Sequence, residues 1–235
     1  MRAALLVGGW GGHTPTHFAD WYRDLLEAKG SAVVVHDMLE PREAPEYLAD
    51  VDSITPIWSS DWSGHREEFG NMTKTQDDDL LKLIAEGSGI AGWHGQMGDA
   101  FCGRPTCHFL IGGQFVADPP GWPYNLLPRK DYVDYDVTIC KPDDPIVQGV
   151  TSFLLTAEQY DMLVDPSKDV LATTTFSGDD LWWIEGAVIP VAWRRRWEKG
   201  RVFSCAIGDE PDDLRVPQVT EIIRRGALSA ARGTA

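Results

Sequence analysis

Short apolar runs closed by glycine alternate with amphipathic stretches through the first hundred residues. Residues 3–7 are uniformly apolar and stop at Gly8-Gly9-Trp10-Gly11-Gly12, the pattern of a buried strand that ends in a turn. Pro15 stands near the start of a helix predicted to run to about residue 29, with Gly30 as its stop signal. Residues 32–36 and 51–58 predict two further strands, the second running into a polar loop (59–70) that carries His65. Over 75–86, Leu80, Leu81, Leu83 and Ile84 make the apolar side of an amphipathic helix that Gly87 closes. A fourth strand follows at 89–93. This alternation predicts a parallel sheet with helices on both faces.

The second half is richer in strand patterns, with candidates at 133–140, 170–176, 188–193 and 201–207, and a final helix over about 216–231. The proline-rich stretch 118–128 reads as an irregular loop over the sheet edge. Neither a repeat nor a low-complexity linker interrupts the chain. The expectation is one α/β domain over residues 1–235: a mostly parallel central sheet flanked by helices, with extra strands in the second half.

Composition narrows the function classes. The 235 residues suffice for one substantial core. A formal net charge of −15 argues against nucleic acid as a partner, because phosphate recognition needs clustered Lys and Arg. Arg194-Arg195-Arg196, between Trp193 and Trp197, is the one dense basic run, read as strand or loop surface with an anion contact as the alternative. Ten tryptophans point first to core packing, and second to rings that stack on a sugar in a pocket. Cys102, Cys107, Cys140 and Cys205 contain no CxxC pair, so reduced, mostly buried thiols are expected rather than a zinc site. The opening apolar run is too short for a signal peptide and no stretch approaches a membrane span, so a cytoplasmic protein with no membrane partner is expected.

Candidate chemistry gathers where strands end. The strand at 89–93 stops on Gly92-Trp93-His94-Gly95, and the carboxyl edge of an open α/β sheet is where ligands bind. His94 is the first catalytic candidate, since imidazole serves as base, nucleophile-like group or metal ligand near neutral pH; a turn-structuring role is the alternative. Asp99 either orients His94 or caps the following helix. The glycine-rich loop after the first strand lacks the G-x-G-x-x-G spacing, and Trp10 in its middle would obstruct a pyrophosphate. His13 in that loop is a pocket candidate, or a polar residue at the start of the next helix. Glu158-Gln159-Tyr160-Asp161 offers carboxylate, amide and phenol groups to a hydroxylated ligand, or is a solvated loop. Asp209 ends the last strand, facing the pocket or capping a turn.

The blocks Gly-Trp-His-Gly-x-Met-Gly-Asp-Ala-Phe (92–101), Gly-Gly-Gln-Phe (112–115), Glu-Gln-Tyr (158–160), Pro-Val-x-Trp (190–193) and Gly-Arg-Val-Phe (200–203) resemble, in order, the ThuA-like, trehalose-utilisation family. So does Gly-Gly-Trp-x-Gly-His (8–13), with one rearranged glycine. The resemblance implies a class I glutamine amidotransferase-like, flavodoxin-like fold. It also implies a link to disaccharide catabolism through 3-keto sugars, alongside NAD-dependent sugar oxidoreductases. Where the amidotransferases carry a nucleophilic Cys this chain has His94, so glutaminase chemistry is not expected. Asp118, Leu163 and Asp209 stand where the resemblance leads one to expect histidines, which implies either a shift toward oxygen ligands at the two aspartates, if a divalent metal is the cofactor, or a lost activity.

The expected activity is acid/base chemistry on a keto-sugar or glycoside around His94, by isomerisation, elimination or hydrolysis. His94, Glu158, Asp209 and Asp99 are the expected catalytic groups; Trp10, His13, Trp93, Gln159, Tyr160 and Asp118 are the expected substrate contacts. The competing expectations are a catalytically altered sugar-binding or regulatory module, and a biosynthetic specialist on a related polyol or nucleoside. A homodimer is the candidate assembly.

Overall fold

In the computed structural model, β1 (Arg2–Gly9), β3 (Ser53–Ser59) and β4 (Gly89–Trp93) are the near-continuous apolar strands that the sequence pattern predicts, the last two buried along their whole length. The structure describes residues 1–37, 48, 50–59, 73–98, 105–119, 121 and 132–233. β2 (Ala32–His36) flanks β1 at the sheet edge. Helix α1 (Pro15–Glu27) buries Phe18, Ala19, Tyr22 and Leu26. On α2 (Lys74–Ala85), Thr73 and Gln76 cap each other's backbone N–H groups, a reciprocal box that fixes where the helix starts. Two short helices, α3 (His94–Gly98) and α4 (Pro105–Ile111), follow β4.

The remaining elements are β5 (Gly113–Ala117), β6 (Val133–Ile139), β7 (Phe153–Ala157), β8 (Asp161–Val164), β9 (Asp169–Thr175), β10 (Val188–Trp197), β11 (Gly200–Cys205) and α5 (Pro217–Ala230). The main sheet has nine strands in the order β2-β1-β3-β4-β11-β10-β9-β6-β7, and β5 pairs with β8 in a separate two-stranded sheet. The expectation of a mostly parallel sheet needs correcting. Pairings from β2 through β11 are parallel, whereas β11–β10, β10–β9, β9–β6 and β6–β7 are all antiparallel. The physical reason lies in β6, where Tyr135 and Val137 are buried while Asp134, Asp136 and Thr138 face out. Such alternation suits an antiparallel strand with one covered face, not a doubly covered parallel one.

Strand direction decides what meets at the site edge. Four reversals separate β11 from β7, so β7 runs parallel to β11 and its carboxyl end lies on the same edge as those of β1, β3 and β4. After three reversals β6 runs the other way and brings its amino end to that edge. The main core fills the space between the sheet and α1 and α5, with Leu5, Trp93, Phe203 and Ile222 among its members. A second cluster lies under α2 and α4, including Leu6, Ile54, Leu80 and Leu110.

Candidate active site

His94 is the first residue of α3 and takes a left-handed backbone conformation, φ 41°. That conformation is strained for a side-chain-bearing residue and turns the chain sharply from strand into helix. The imidazole is buried, with 1% exposure. Its Nδ1 lies 3.3 Å from the Ala206 carbonyl oxygen, which can only accept, so Nδ1–H donates and Nε2 is turned the other way. There it faces two carboxylates, Glu158 Oε2 at 3.3 Å and Asp209 Oδ1 at 3.5 Å. The Tyr160 ring lies against the imidazole, centroids 4.2 Å apart.

Other strand ends complete the cluster. Gly9, with φ 82°, closes β1 where a Cβ would stand 2.4 Å from the Ser59 carbonyl oxygen. The chain then passes through Trp10, whose N–H donates to Ser59, into a single 3-10 turn, Gly11–His13. His13 shares a hydrogen bond of 2.8 Å between Nδ1 and Ser59 Oγ, and its Nε2 is 3.6 Å from Asp209 Oδ1. Trp10 packs edge-on against His13, at 4.8 Å between centroids. Beyond β11, Gly208 (φ 125°) lets the backbone pass against Trp93 and Leu214 and delivers Asp209 to the site. Tyr132, just ahead of β6, donates its hydroxyl to Asp209 Oδ2 at 2.6 Å. Tyr135 on β6 donates to the Glu158 carbonyl at 3.1 Å and fixes the backbone that carries that carboxylate.

The electrostatics separate the two imidazoles. Burial pushes His94 toward its neutral form, but Asp209 and then Glu158 outweigh it and hold the pKa well above 6.5. Burial, reinforced by the charge of His94, lowers His13 to about 4 despite Asp209. Burial opposes ionisation of Asp209 as well, but the contacts with His94, Tyr132 and His13 keep its carboxyl well below the usual carboxylate range. A cationic His94, a neutral His13 and an anionic Asp209 therefore stand together near neutral pH, an arrangement suited to acid/base work.

The same set can take a cation. Ligand atoms of His13, His94 and Asp209 lie within 4.8 Å of one another, and His94 Nε2 makes no hydrogen bond of good geometry among the described residues. Two nitrogens and one carboxylate oxygen fit a divalent ion of the first transition row.

The family model for ThuA, described as trehalose utilisation, matches residues 2–230. The chain belongs to the ThuA family. This ThuA member resembles a ThuA-like protein from Bacteroides uniformis at 14% identity and a TM-score of 0.70, over 97% of this chain and 89% of that one. A ThuA-like protein from Parabacteroides merdae matches at 16% identity and TM-score 0.69, over 98% and 89% of the two chains. A cytoplasmic protein from Salmonella typhimurium matches at 11% identity and TM-score 0.62, over 99% and 100%. At these identities the likeness establishes the fold. Among curated proteins none matches.

Within this ThuA fold the expected site residues separate into groups. His13, His94, Glu158, Tyr160, Asp209 and Trp10 converge at one edge. Gln159 is buried next to them and donates to Thr174 Oγ1 at 2.7 Å, so its amide is partly committed to the fold. Trp93 is corrected from substrate contact to core: its ring is 0% exposed and packs against Phe18, Trp21 and Tyr22. Asp118 is buried just beyond β5, and its carbonyl accepts from Gly121. Asp99, Cys102 and His65 lie outside the described residues. Tyr132, Tyr135 and Ser59 were not expected. Their partners are distant in sequence, 77 residues for Tyr132 and Asp209, and only the strand order brings them together. Cys107 and Cys205 are buried, whereas Cys140 is exposed. Among the described residues no helix is long and apolar enough to cross a membrane.

Proposed function

We propose that this ThuA-family chain acts on a keto-sugar or glycoside by acid/base chemistry, with Glu158 and Asp209 as the groups that meet the substrate. The observation that carries this reading is the buried imidazole of His94 between two carboxylates that themselves reach the surface, 14% and 16% exposed. A 3-keto group acidifies the C–H beside it. Glu158 takes that proton, the released electron pair forms a C=C bond with the neighbouring carbon, and the glycosidic C–O bond on that carbon breaks. The departing oxygen takes a proton from Asp209, resupplied by His94 Nε2 at 3.5 Å, and the proton that Glu158 took returns to His94 Nε2 across 3.3 Å. His94 lies beneath the two carboxylates as the proton reservoir, and its charge before the transfer favours the ionised form of Asp209. The amidotransferase comparison fits this proposal only as a frame, since an imidazole here replaces the thiolate that glutaminase chemistry needs.

The convergence of His13, His94 and Asp209 favours a second reading, in which these residues would hold a divalent ion and the ion would supply Lewis-acid chemistry toward the sugar carbonyl. In both readings the partner is a small sugar-like molecule. An NAD-dependent sugar oxidoreductase in the same cytoplasmic compartment would supply the keto group.

The test is incubation with 3-keto-trehalose and 3-keto-glucosides, with and without added divalent metals, beside His94→Ala. Turnover lost in the variant is expected. Binding without turnover on any of these substrates overturns the enzyme reading in favour of a sugar-binding module. Full activity of protein shown to be metal-free removes the second reading.

A further inference from the structure

The arginine run 194–196 has no part in the chemistry above. It borders a cavity of about 680 Å³ at the edge of the sheet opposite His94. β11 runs parallel to β4, so its carboxyl end leads to Asp209 while its amino end carries Arg201 away from the catalytic cluster. β10 is antiparallel to β11 and brings Arg194 and Arg196 to that same far edge. Arg194 stands opposite Phe203 and Arg196 opposite Arg201, so these four side chains share one face of the hairpin. Helix α5 covers that face, with Gly226 so close to the Phe203 ring that a Cβ would meet it at 2.4 Å. Ser229 and Ala230, in the last turn of the helix, complete the wall. Arg195 points to the other face, where Asp165 and the Phe109 carbonyl both accept from its Nη1 at 2.8 Å.

Among the described residues the cavity lining sets four arginines against one carboxylate, Asp169, in a chain whose net charge is −15. That carboxylate is already held by Lys141 and by Arg194 Nε at 3.0 Å, and Arg194 Nη2 is 2.6 Å from Asp144 Oδ2. Arg196 is exposed and makes no ion pair among the described residues. Arg201 donates Nη1 to the Ser229 carbonyl at 3.3 Å, a bond that orients the guanidinium without cancelling its charge. Like charges directly opposite on paired strands are destabilising, so the Arg196–Arg201 pair costs the fold stability that a bound dianion would restore. We propose that this cavity binds the phosphate monoester of a small organic molecule, with Arg196 and Arg201 on the phosphate and Ile146 and Phe203 beside the organic part. Planar guanidinium forks match phosphate oxygens in charge and in geometry. The volume lies within the range of small-molecule sites, roughly 300–1,000 Å³, and exceeds what a phosphate alone would fill. Its place at the far edge makes this site separate from the catalytic cluster and independent of the reaction proposed there.

Calorimetric titration of the whole chain at constant ionic strength with phenyl phosphate, inorganic phosphate and succinate tests this. Wild type should bind one phenyl phosphate, more tightly than inorganic phosphate, and succinate least. Arg196→Gln and Arg201→Lys should each weaken phenyl phosphate about tenfold, the first by removing a charge and the second by replacing a fork with a point charge. Arg215→Gln removes an exposed arginine elsewhere, one that pairs with Asp212, and should leave the affinity unchanged. In phosphate-free buffer Arg196→Gln should melt no lower than wild type, and a lower Tm would contradict the cost assigned to the arginine pair. Equal weakening in Arg215→Gln assigns binding to net charge and overturns the site. Binding of none of the three probes, or phenyl phosphate affinity unchanged in both Arg196→Gln and Arg201→Lys, overturns it as well. Inorganic phosphate or succinate bound as tightly as phenyl phosphate overturns the assignment to an ester.

Discussion

At the scale of the residue, two neighbours in sequence divide structure from chemistry. Trp93 and His94 are consecutive, yet the strand points one into the core under α1 and the turn delivers the other to the carboxylates. Trp93→Ala should lower stability by about 3–5 kcal/mol through lost burial and the cavity left behind. Trp93→Phe should lower Tm while leaving sugar affinity intact. A Trp93→Phe variant of undiminished Tm that no longer binds sugar contradicts the core placement. The importance of position 94 is legible in the sequence, because a polar imidazole directly after a buried strand has few purely structural uses. Its protonation is not legible, because that depends on Glu158 and Asp209, 64 and 115 positions away in the chain. The same distance hides Tyr132, which looks in sequence like any loop tyrosine.

At the scale of the element, α5 carries the clearest electrostatic device outside the site. Glu221 accepts from both Arg224 and Arg225 one turn further on, and these bonds lower its pKa from 4.5 to about 2 even though partial burial opposes ionisation. A depressed carboxylate stabilises the fold above its unfolded pKa, so this contribution is complete above pH 4.5 and fades as pH falls toward 2. The side chain is 32% exposed, so solvent screening limits the effect to about 0.5–1 kcal/mol at neutral pH. Urea titrations across that pH range should show a shallower acid limb in Glu221→Gln. An identical limb would show that the triad contributes nothing. The helix itself is evident in the sequence, as are the four apolar strands of the first half. β5, β7 and β8 escape because short strands that pair far away in the chain lack a strong local period. The sense of β6 was readable: its buried Tyr135 and Val137 alternate with Asp134, Asp136 and Thr138, a pattern that already favours antiparallel pairing.

At the scale of the whole molecule, the mixed sheet explains how one edge gathers both imidazoles and both carboxylates. A purely parallel sheet would bring only strand carboxyl ends to the site. The antiparallel extension also brings the amino end of β6, and with it Tyr132 and Tyr135, against Asp209 and Glu158. The chain thus combines an apolar parallel part that sets the positions of His94 and Asp209 and an alternating part that supplies Glu158. The most direct test of this arrangement follows hydrogen exchange by NMR at the carbon beside the carbonyl of a 3-keto-glucoside in D2O. Wild type should exchange or eliminate at that carbon, and Glu158→Gln should slow it by about 10²–10⁴-fold, the usual contribution of a positioned base. Equal rates in the two proteins, both above the uncatalysed reaction, would contradict the assignment of Glu158 and the account built on it.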